Sequence, residues 1–317
     1  MTITLLLKKL GALVLTVFVA SVLVFFSMYL VPGDPLGFLL RGRSPSPEAI
    51  AAVTAQYGLD KPVQVQYVDW LVNVLHGNFG RSFQYREDVG TLLASRAPTT
   101  LGLIVLAGLI IAVLGLAAGI VSALARGKAA DRIILTALTG LAAIPSFVGA
   151  IVLIALFSVQ LGWFPSFGSG TGFLDTLYHL VLPALALALA FVALVARVTR
   201  SSMLDQLGRE HVEVAVSRGV ARAAVVRRHV LRNALGPILT VSGVLVAGLL
   251  VASAVVEQAF GLSGIGSLLV QSVDRLDFPV VQVIVLLIVL IFVTVNTAVD
   301  LLASAIDPRS KAGAAAR

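Results

Sequence analysis

The chain has 317 residues, 58% of them hydrophobic and only 12% charged, with a formal net charge of +7. Soluble domains carry about 45–50% apolar and about 25% charged residues, so there is too little charge here to wet a compact globule of this size. The basic excess points either to an acidic partner such as nucleic acid or to one side of a membrane, and the absence of cysteine excludes disulfides and thiolate metal sites.

A membrane-crossing helix needs about 20 apolar residues, and six runs qualify. The first, Leu10–Val31, follows Lys8 and Lys9. It is longer than a signal-peptide core and no small-x-small cleavage site follows, so residues 1–31 read as a retained anchor. Residues 32–98 are a long segment holding Tyr57, Tyr67, Trp70, Phe79, Phe83 and Tyr85, enough aromatics for a small folded cap. Leu101–Ala125 follows, with Gly115 and Gly119 in GxxxG spacing, a pattern that lets helices pack closely within a subunit or across a dimer. Ile133–Phe164 is long enough for a helix plus an apolar extension, with Pro145 a kink. Leu177–Ala196 carries His179 and Pro183 near its start, and Ala234–Val256 and Phe278–Val299 complete the set. The second to sixth helices form a core over 99–303, interrupted by a polar, arginine-studded segment at 199–235, and residues 304–317 are a tail.

Six crossings put both termini on one side. That side holds sixteen basic residues: Lys8, Lys9, Arg126, Lys128, Arg132, eight arginines from Arg197 to Arg232, Arg309, Lys311 and Arg317. The other holds seven, six of them in the long 32–98 segment, which crosses largely regardless of its charge. Among short loops only Arg275 remains there, so the side of the termini is the cytoplasm. The basic excess is then a topology label, not a nucleic-acid signature.

Catalytic chemistry is missing. Gly127-Lys128 lacks the upstream glycine of a P-loop, no GxSxG occurs, and His76, His179, His211 and His229 are scattered without metal-ligand spacing. If the protein does thermodynamic work, the energy enters from another chain. Two carboxylates, Glu257 and Asp300, lie at helix ends and either reach interfacial water, pair locally or serve a functional site. No acid lies mid-membrane, which counts against a proton-coupled secondary transporter.

The 199–235 segment is the informative one. Val212, Ala215, Val216, Val220, Ala223, Ala224, Val226, Val230 and Leu231 recur at helical spacing, and Gly219 breaks the run into two short helices. Arg218, Arg222, Arg227, Arg228 and Arg232 stud the polar faces. Such a pair either lies on anionic lipid or docks a cytoplasmic protein.

Glu213-Val214-Ala215-Val216-Ser217-Arg218-Gly219 resembles the EAA---G loop of ABC importer permeases, with Val214 in place of the middle alanine. Continued through His229-Val230-Leu231-Arg232-Asn233-Ala234-Leu235 to Pro237, the string is similar to the dipeptide/oligopeptide permease group, in which His229 and Arg232 are usual. Five further stretches agree in order: Val31-Pro32-Gly33-Asp34-Pro35; Tyr57-Gly58-Leu59-Asp60 with Gly77-Asn78-Phe79-Gly80-Arg81-Ser82; Glu257 to Gly266, as E-x-x-F-x-x-x-G-[LI]-G; Asp277-Phe278-Pro279; and Asp307-Pro308-Arg309. The long segment after the first helix resembles the B-type subunit rather than its C-type partner.

The resemblance implies an all-α integral membrane protein with the type I ABC importer permease fold, multi-pass in the bacterial inner membrane. It implies a non-catalytic subunit that forms half of a pore for dipeptides or oligopeptides, alongside a C-type permease. Two cytoplasmic ATPases would bind ATP and Mg, with no cofactor on this chain, and an extracytoplasmic binding protein would deliver substrate. Relatives of this pattern also move nickel chelates, glutathione or opines. Glu213, Ala215, Val216, Arg218, Gly219, Val220, Arg222 and Leu231 are the expected ATPase-coupling residues, and Glu257, Gly261, Gly264 and Gly266 the expected translocation-path residues. The 32–98 segment is expected to contact the binding protein or the partner permease, against a cap that packs only on its own subunit.

Overall fold

The computed structural model describes residues 3–30, Thr54 and 60–306, with side chains over 9–30, 54 and 60–299. The motif stretches 31–35, 57–59 and 307–309, the tail and the Asp300 side chain lie outside the described residues. Among the described residues there is no strand, only an isolated bridge between Arg81 and Asp88.

Helix α1 (Ile3–Leu30) is followed by α2 (Val63–Leu75) and α3 (Val89–Leu124). Helix α4 (Ala129–Ala142) and α5 (Ser146–Leu153) come next, α5 running into a π-helical stretch, Ile154–Gln160. Then follow α6 (Phe173–Leu207) and α7 (Glu210–Ser217). The short α8 (Arg222–Ala224) passes through π-helical Val225–Leu231 into α9 (Arg232–Ala259). Helices α10 (Ile265–Asp274) and α11 (Phe278–Ile306) complete the described chain.

Five stretches are long and apolar enough to cross a bilayer singly: Lys9–Leu30, Val89–Leu124, Phe173–Leu207, Arg222–Ala259 and Phe278–Val299. The sixth expected crossing is the pair α4 and α5, bent by 99°. The break falls at Pro145, which stands just before α5 with φ −58° and ψ 141°. A proline has no N–H for the helical ladder and drives the residue before it out of the helical region, so the chain stops and restarts there.

Two helices are longer than their apolar runs suggest. Helix α3 begins at Val89, because the Asp88 side chain accepts the Thr91 N–H at 3.0 Å and caps it, and Pro98 lies inside the helix instead of preceding it. Helix α6 begins at Phe173, where the Asp175 carboxylate accepts the Thr171 N–H at 2.7 Å; His179 and Pro183 are interior positions.

The core is built on α3, α6 and α9. Leu103, Ala107 and Ile111 meet Leu180, Ala184, Leu187 and Val195, with Leu245 and Leu249 closing the third side. Gly115 and Gly119 sit in this contact. A Cβ on Gly115 would stand 2.9 Å from the Cβ of Val195, and one on Gly119 would stand 2.5 Å from the Cβ of Thr199 and 2.7 Å from the Ala196 carbonyl. The GxxxG pair therefore packs within the subunit, α3 against α6.

The aromatics of the 60–98 region divide between two places. Tyr67 and Trp70 pack on Phe25 of α1 with ring centroids 5.4 Å and 5.5 Å apart. Phe79 and Tyr85 pack on a separate cluster of Val89, Leu92, Leu93, Ile265, Leu268 and Val280. Each group is tied to a membrane helix, so the region is a set of straps and not one free-standing cap.

Gly119→Val forces α3 and α6 apart and is expected to lower stability by about 1–3 kcal/mol. Gly108→Ala, at a position with nothing within 4 Å of the added carbon, is the control and leaves the thermal midpoint of the purified protein unchanged or raised.

Candidate functional site: the α7 coupling surface and its supports

Helix α7 is short, and its end is fixed by backbone alone. The Gly219 N–H donates to the Val216 carbonyl at 2.9 Å and the Val220 N–H to the Ala215 carbonyl at 3.1 Å, with Gly219 at φ +74°. This paired closure around a left-handed residue is the Schellman arrangement, which favours glycine because a Cβ is strained there. The turn then feeds α8 and the π-helical stretch, where the Asn233 amide donates to the His229 carbonyl at 2.7 Å and lies 3.2 Å from Nε2 of His211 on α7. The π stretch is thereby tied back to α7.

The inner side of α7 is Val212 and Ala215, both buried on Ala123, Met203, Val225, Val230, Ala234 and Ile238. Ala215, expected at the coupling surface, is thus a seat residue, and Leu231 is half-buried against the same cluster. The other expected residues are presented outward: Glu213, Val216, Arg218, Gly219, Val220 and Arg222 are all exposed, Val216 by 60%. Between α7 and the ends of α3 and α6 lies a groove of about 590 Å³, with Leu124, Leu207 and Val226 in its apolar wall and Glu213 and Arg222 on its lining.

A charged clamp at this end of the bundle was not anticipated from sequence. Arg200 of α6 donates from Nε and from a terminal nitrogen to the two oxygens of Asp131, each at 2.8 Å. The Ser122 hydroxyl and the Gly127 N–H also donate to this carboxylate. Asp131 is 5% exposed and begins α4, while Ser122 belongs to the end of α3, so one carboxylate binds three helices beside the α7 seat. The bidentate geometry gives direction as well as attraction. The only trace in the sequence is one acid and one arginine flanking different apolar runs on the same expected side.

At the opposite ends of α3 and α9 the E-x-x-F-x-x-x-G-[LI]-G stretch forms a second joint. Glu257 is fully buried. Its Oε1 accepts the Thr100 hydroxyl at 2.7 Å, and its Oε2 accepts the Ser267 N–H at 2.8 Å. The Thr100 oxygen in turn accepts the Ile265 N–H at 2.8 Å. A carboxylate from α9 thus caps α10 from outside, satisfying N–H groups that its own first turn leaves open. Any Cβ on Gly264 would overlap that carboxylate, and one on Gly266 would stand 2.5 Å from the Ala254 Cα. Of the four expected path residues only Gly261 is exposed; Glu257, Gly264 and Gly266 are enclosed and present no surface to a passage in this chain. Of the alternatives for Glu257, local pairing is the one observed.

Asp277 of the Asp-Phe-Pro stretch makes the third joint. It accepts the Ser82 hydroxyl, the Phe83 N–H at 2.9 Å and the Gln84 N–H at 3.1 Å, while the Tyr85 hydroxyl donates to Gln271 at 3.0 Å. Two sequence motifs almost 200 residues apart, ending at Ser82 and beginning at Asp277 (a separation of 195 residues), are therefore one structure.

Glu257→Leu removes the acceptor for both Thr100 and the α10 N–H groups and is expected to lower the thermal midpoint more than Glu257→Gln, which keeps one carbonyl acceptor. For the clamp, Asp131→Asn destabilises, and adding Arg200→Gln recovers part of the loss because the unpaired cation is gone; thermal denaturation of the single and double variants reads the coupling.

The family described as binding-protein-dependent transport system inner membrane component matches residues 115–312, and its companion for the N-terminal part of such membrane components matches residues 1–104. A protein named as a peptide transport system permease from Brucella melitensis is 40% identical over 314 residues, covering 98% of this chain and 99% of its own. A glutathione transport system permease protein from Salmonella typhimurium is 40% identical over 303 residues, covering 95% and 97%. Among solved structures, an inward-facing form of the methionine ABC transporter MetNI superposes with a TM-score of 0.57 at 21% identity, over 68% of this chain and 96% of that one. That likeness speaks for the fold alone.

Proposed function

The chain belongs to the inner membrane components of binding-protein-dependent transport systems, an ABC importer permease with the type I fold and several membrane crossings, and on that premise we propose that it forms half of a peptide-conducting pore driven through α7. The observation that carries this reading is the α7 surface: an exposed, charged and valine-bearing helix end, capped by its own backbone and seated on a cluster drawn from three long membrane helices, α3, α6 and α9.

In this reading both termini and α7 are cytoplasmic, as the distribution of basic residues argues. Helix α7 sits on one of two ATPase subunits, which bind the ATP and Mg, while this chain itself carries no cofactor and no catalytic group. Val216 and Val220 give apolar contact there, and Glu213, Arg218 and Arg222 give charge complementarity. Closure of the ATPase pair moves α7. Because Val212 and Ala215 are packed on α9 and on Met203 of α6, the displacement passes to those helices as a rigid body and changes which side of the pore is open. A C-type permease completes the pore and an extracytoplasmic binding protein delivers the substrate.

The substrate class is short peptides. Support comes from relatives named for peptide transport and for glutathione transport, glutathione being itself a tripeptide.

Gly219→Pro removes the N–H that bonds Val216 and imposes a negative φ, so ATP-driven uptake of labelled peptides is expected to be lost while the subunit still inserts. Gly219→Ala strains the left-handed turn by about 1–2 kcal/mol and is expected to give partial uptake. Glu213→Arg should lower co-purification of the ATPases without changing the thermal midpoint. Full uptake by an inserted Gly219→Pro variant would sink the coupling role.

A further inference from the structure

Helix α2 divides its surface three ways. Val63, Tyr67, Trp70, Leu71 and Val74 recur at helical spacing and are half-buried against the rest of the chain. Asp69 and Asn73 lie on an exposed polar edge, where Lys61 Nζ meets Asp69 Oδ2 at 2.7 Å. Between these two faces runs an outward stripe of Val65, Val68, Val72 and Leu75, exposed by 41%, 54%, 47% and 76%.

The level of α2 is set by what its inner face touches. The Tyr67 hydroxyl is 2.8 Å from the Ser21 hydroxyl, the Tyr67 and Trp70 rings pack on Phe25, and the Tyr29 hydroxyl donates to Gln66 at 2.6 Å. Ser21, Phe25 and Tyr29 all lie within the membrane-crossing stretch Lys9–Leu30. Ser21 is nine residues before its end, which is ~13 Å of helix rise. Helix α2 therefore lies beside the last turns of α1 and not above them. Over the same stretch α1 itself exposes Phe18, Val19 and Leu23, so the outward apolar surface of α2 continues that of a membrane-spanning helix. A water-facing strap would turn its valines inward, but the inner face here is already taken by Tyr67 and Trp70.

We propose that α2 is an interfacial helix whose Val65, Val68, Val72 and Leu75 stripe contacts acyl chains in the leaflet crossed by the C-terminal half of α1. Asp69, Asn73 and Lys61 then face the headgroups and water, and Tyr67 and Trp70 sit at the level where amphipathic rings anchor. This inference rests on the membrane crossing of α1 and is independent of the substrate.

The chain has no cysteine, so Val68→Cys, Val72→Cys, Asp69→Cys and Asn73→Cys each place one thiol on this subunit. The variants are labelled with a nitroxide in the assembled transporter, its other subunits freed of thiols, in lipid nanodiscs. Collision with dissolved oxygen is expected to exceed collision with a water-soluble nickel chelate several-fold at positions 68 and 72, and the order is expected to reverse at 69 and 73. Retained uptake certifies each assembly, and Val65→Cys reads the same face if Val72→Cys fails to assemble. Ready access of the nickel chelate at all four positions would overturn the proposal in favour of a water-facing strap. Shielding of 68 and 72 from both reagents would overturn it in favour of a protein partner or another part of this chain.

Discussion

Apolar side chains gain little by turning from lipid toward one another, so the association of α3 with α6 rests on how closely their surfaces fit. Gly115 and Gly119 set that fit, bringing the α3 backbone against Val195 and Thr199. Because α3 and α6 both run the depth of the bundle, this contact places their two ends in register. At one end the clamp of Asp131, Arg200 and Ser122 forms between them and α4. At its other end α3 presents Thr100 to Glu257 of α9. Lose the close approach and both polar joints lose the geometry that satisfies them.

The three polar joints share a logic. Each uses a carboxylate, Asp131, Glu257 or Asp277, that is nearly or wholly buried and accepts several hydrogen bonds. A buried carboxylate with missing donors is strongly unfavourable, so such a group tolerates few arrangements of its neighbours. Glu257 and Asp277 bracket α10 and fix the short helix between the last two crossings. Asp131 holds the end of the bundle on which α7 is seated. Rigid joints at both ends suit the proposal that the helices move as bodies and do not bend.

Much of the architecture was legible in the sequence because membrane solvation writes it in length and composition. The six apolar runs correspond to five single helices and one bent pair, and Pro145 marked the bend. Gly219 was legible too, since a glycine between two amphipathic stretches announces a left-handed turn. The joints were not legible. Thr100 is an ordinary hydroxyl in an apolar run, and nothing in a one-dimensional string pairs it with Glu257, 157 residues away. Glu257 stands out in the sequence by its charge near the membrane, yet charge alone does not tell a path residue from a cap for a neighbouring helix. The starts of α3 and α6 are not legible for a local reason: Asp88 caps α3 and Asp175 ties Thr171 back to the first turn of α6, in sequence that a hydropathy window discards.

The closure of α7 at Gly219 engages only main-chain atoms, and the helix is held to the bundle by the buried Val212 and Ala215 and by His211 beside Asn233. The form of the knuckle and the chemistry on its outer side are thereby encoded at different positions. On the proposed coupling role, Glu213, Val216, Arg218 and Arg222 can be retuned to a changed ATPase without redrawing the backbone that carries them. Shape is held by one glycine; identity is free to drift around it.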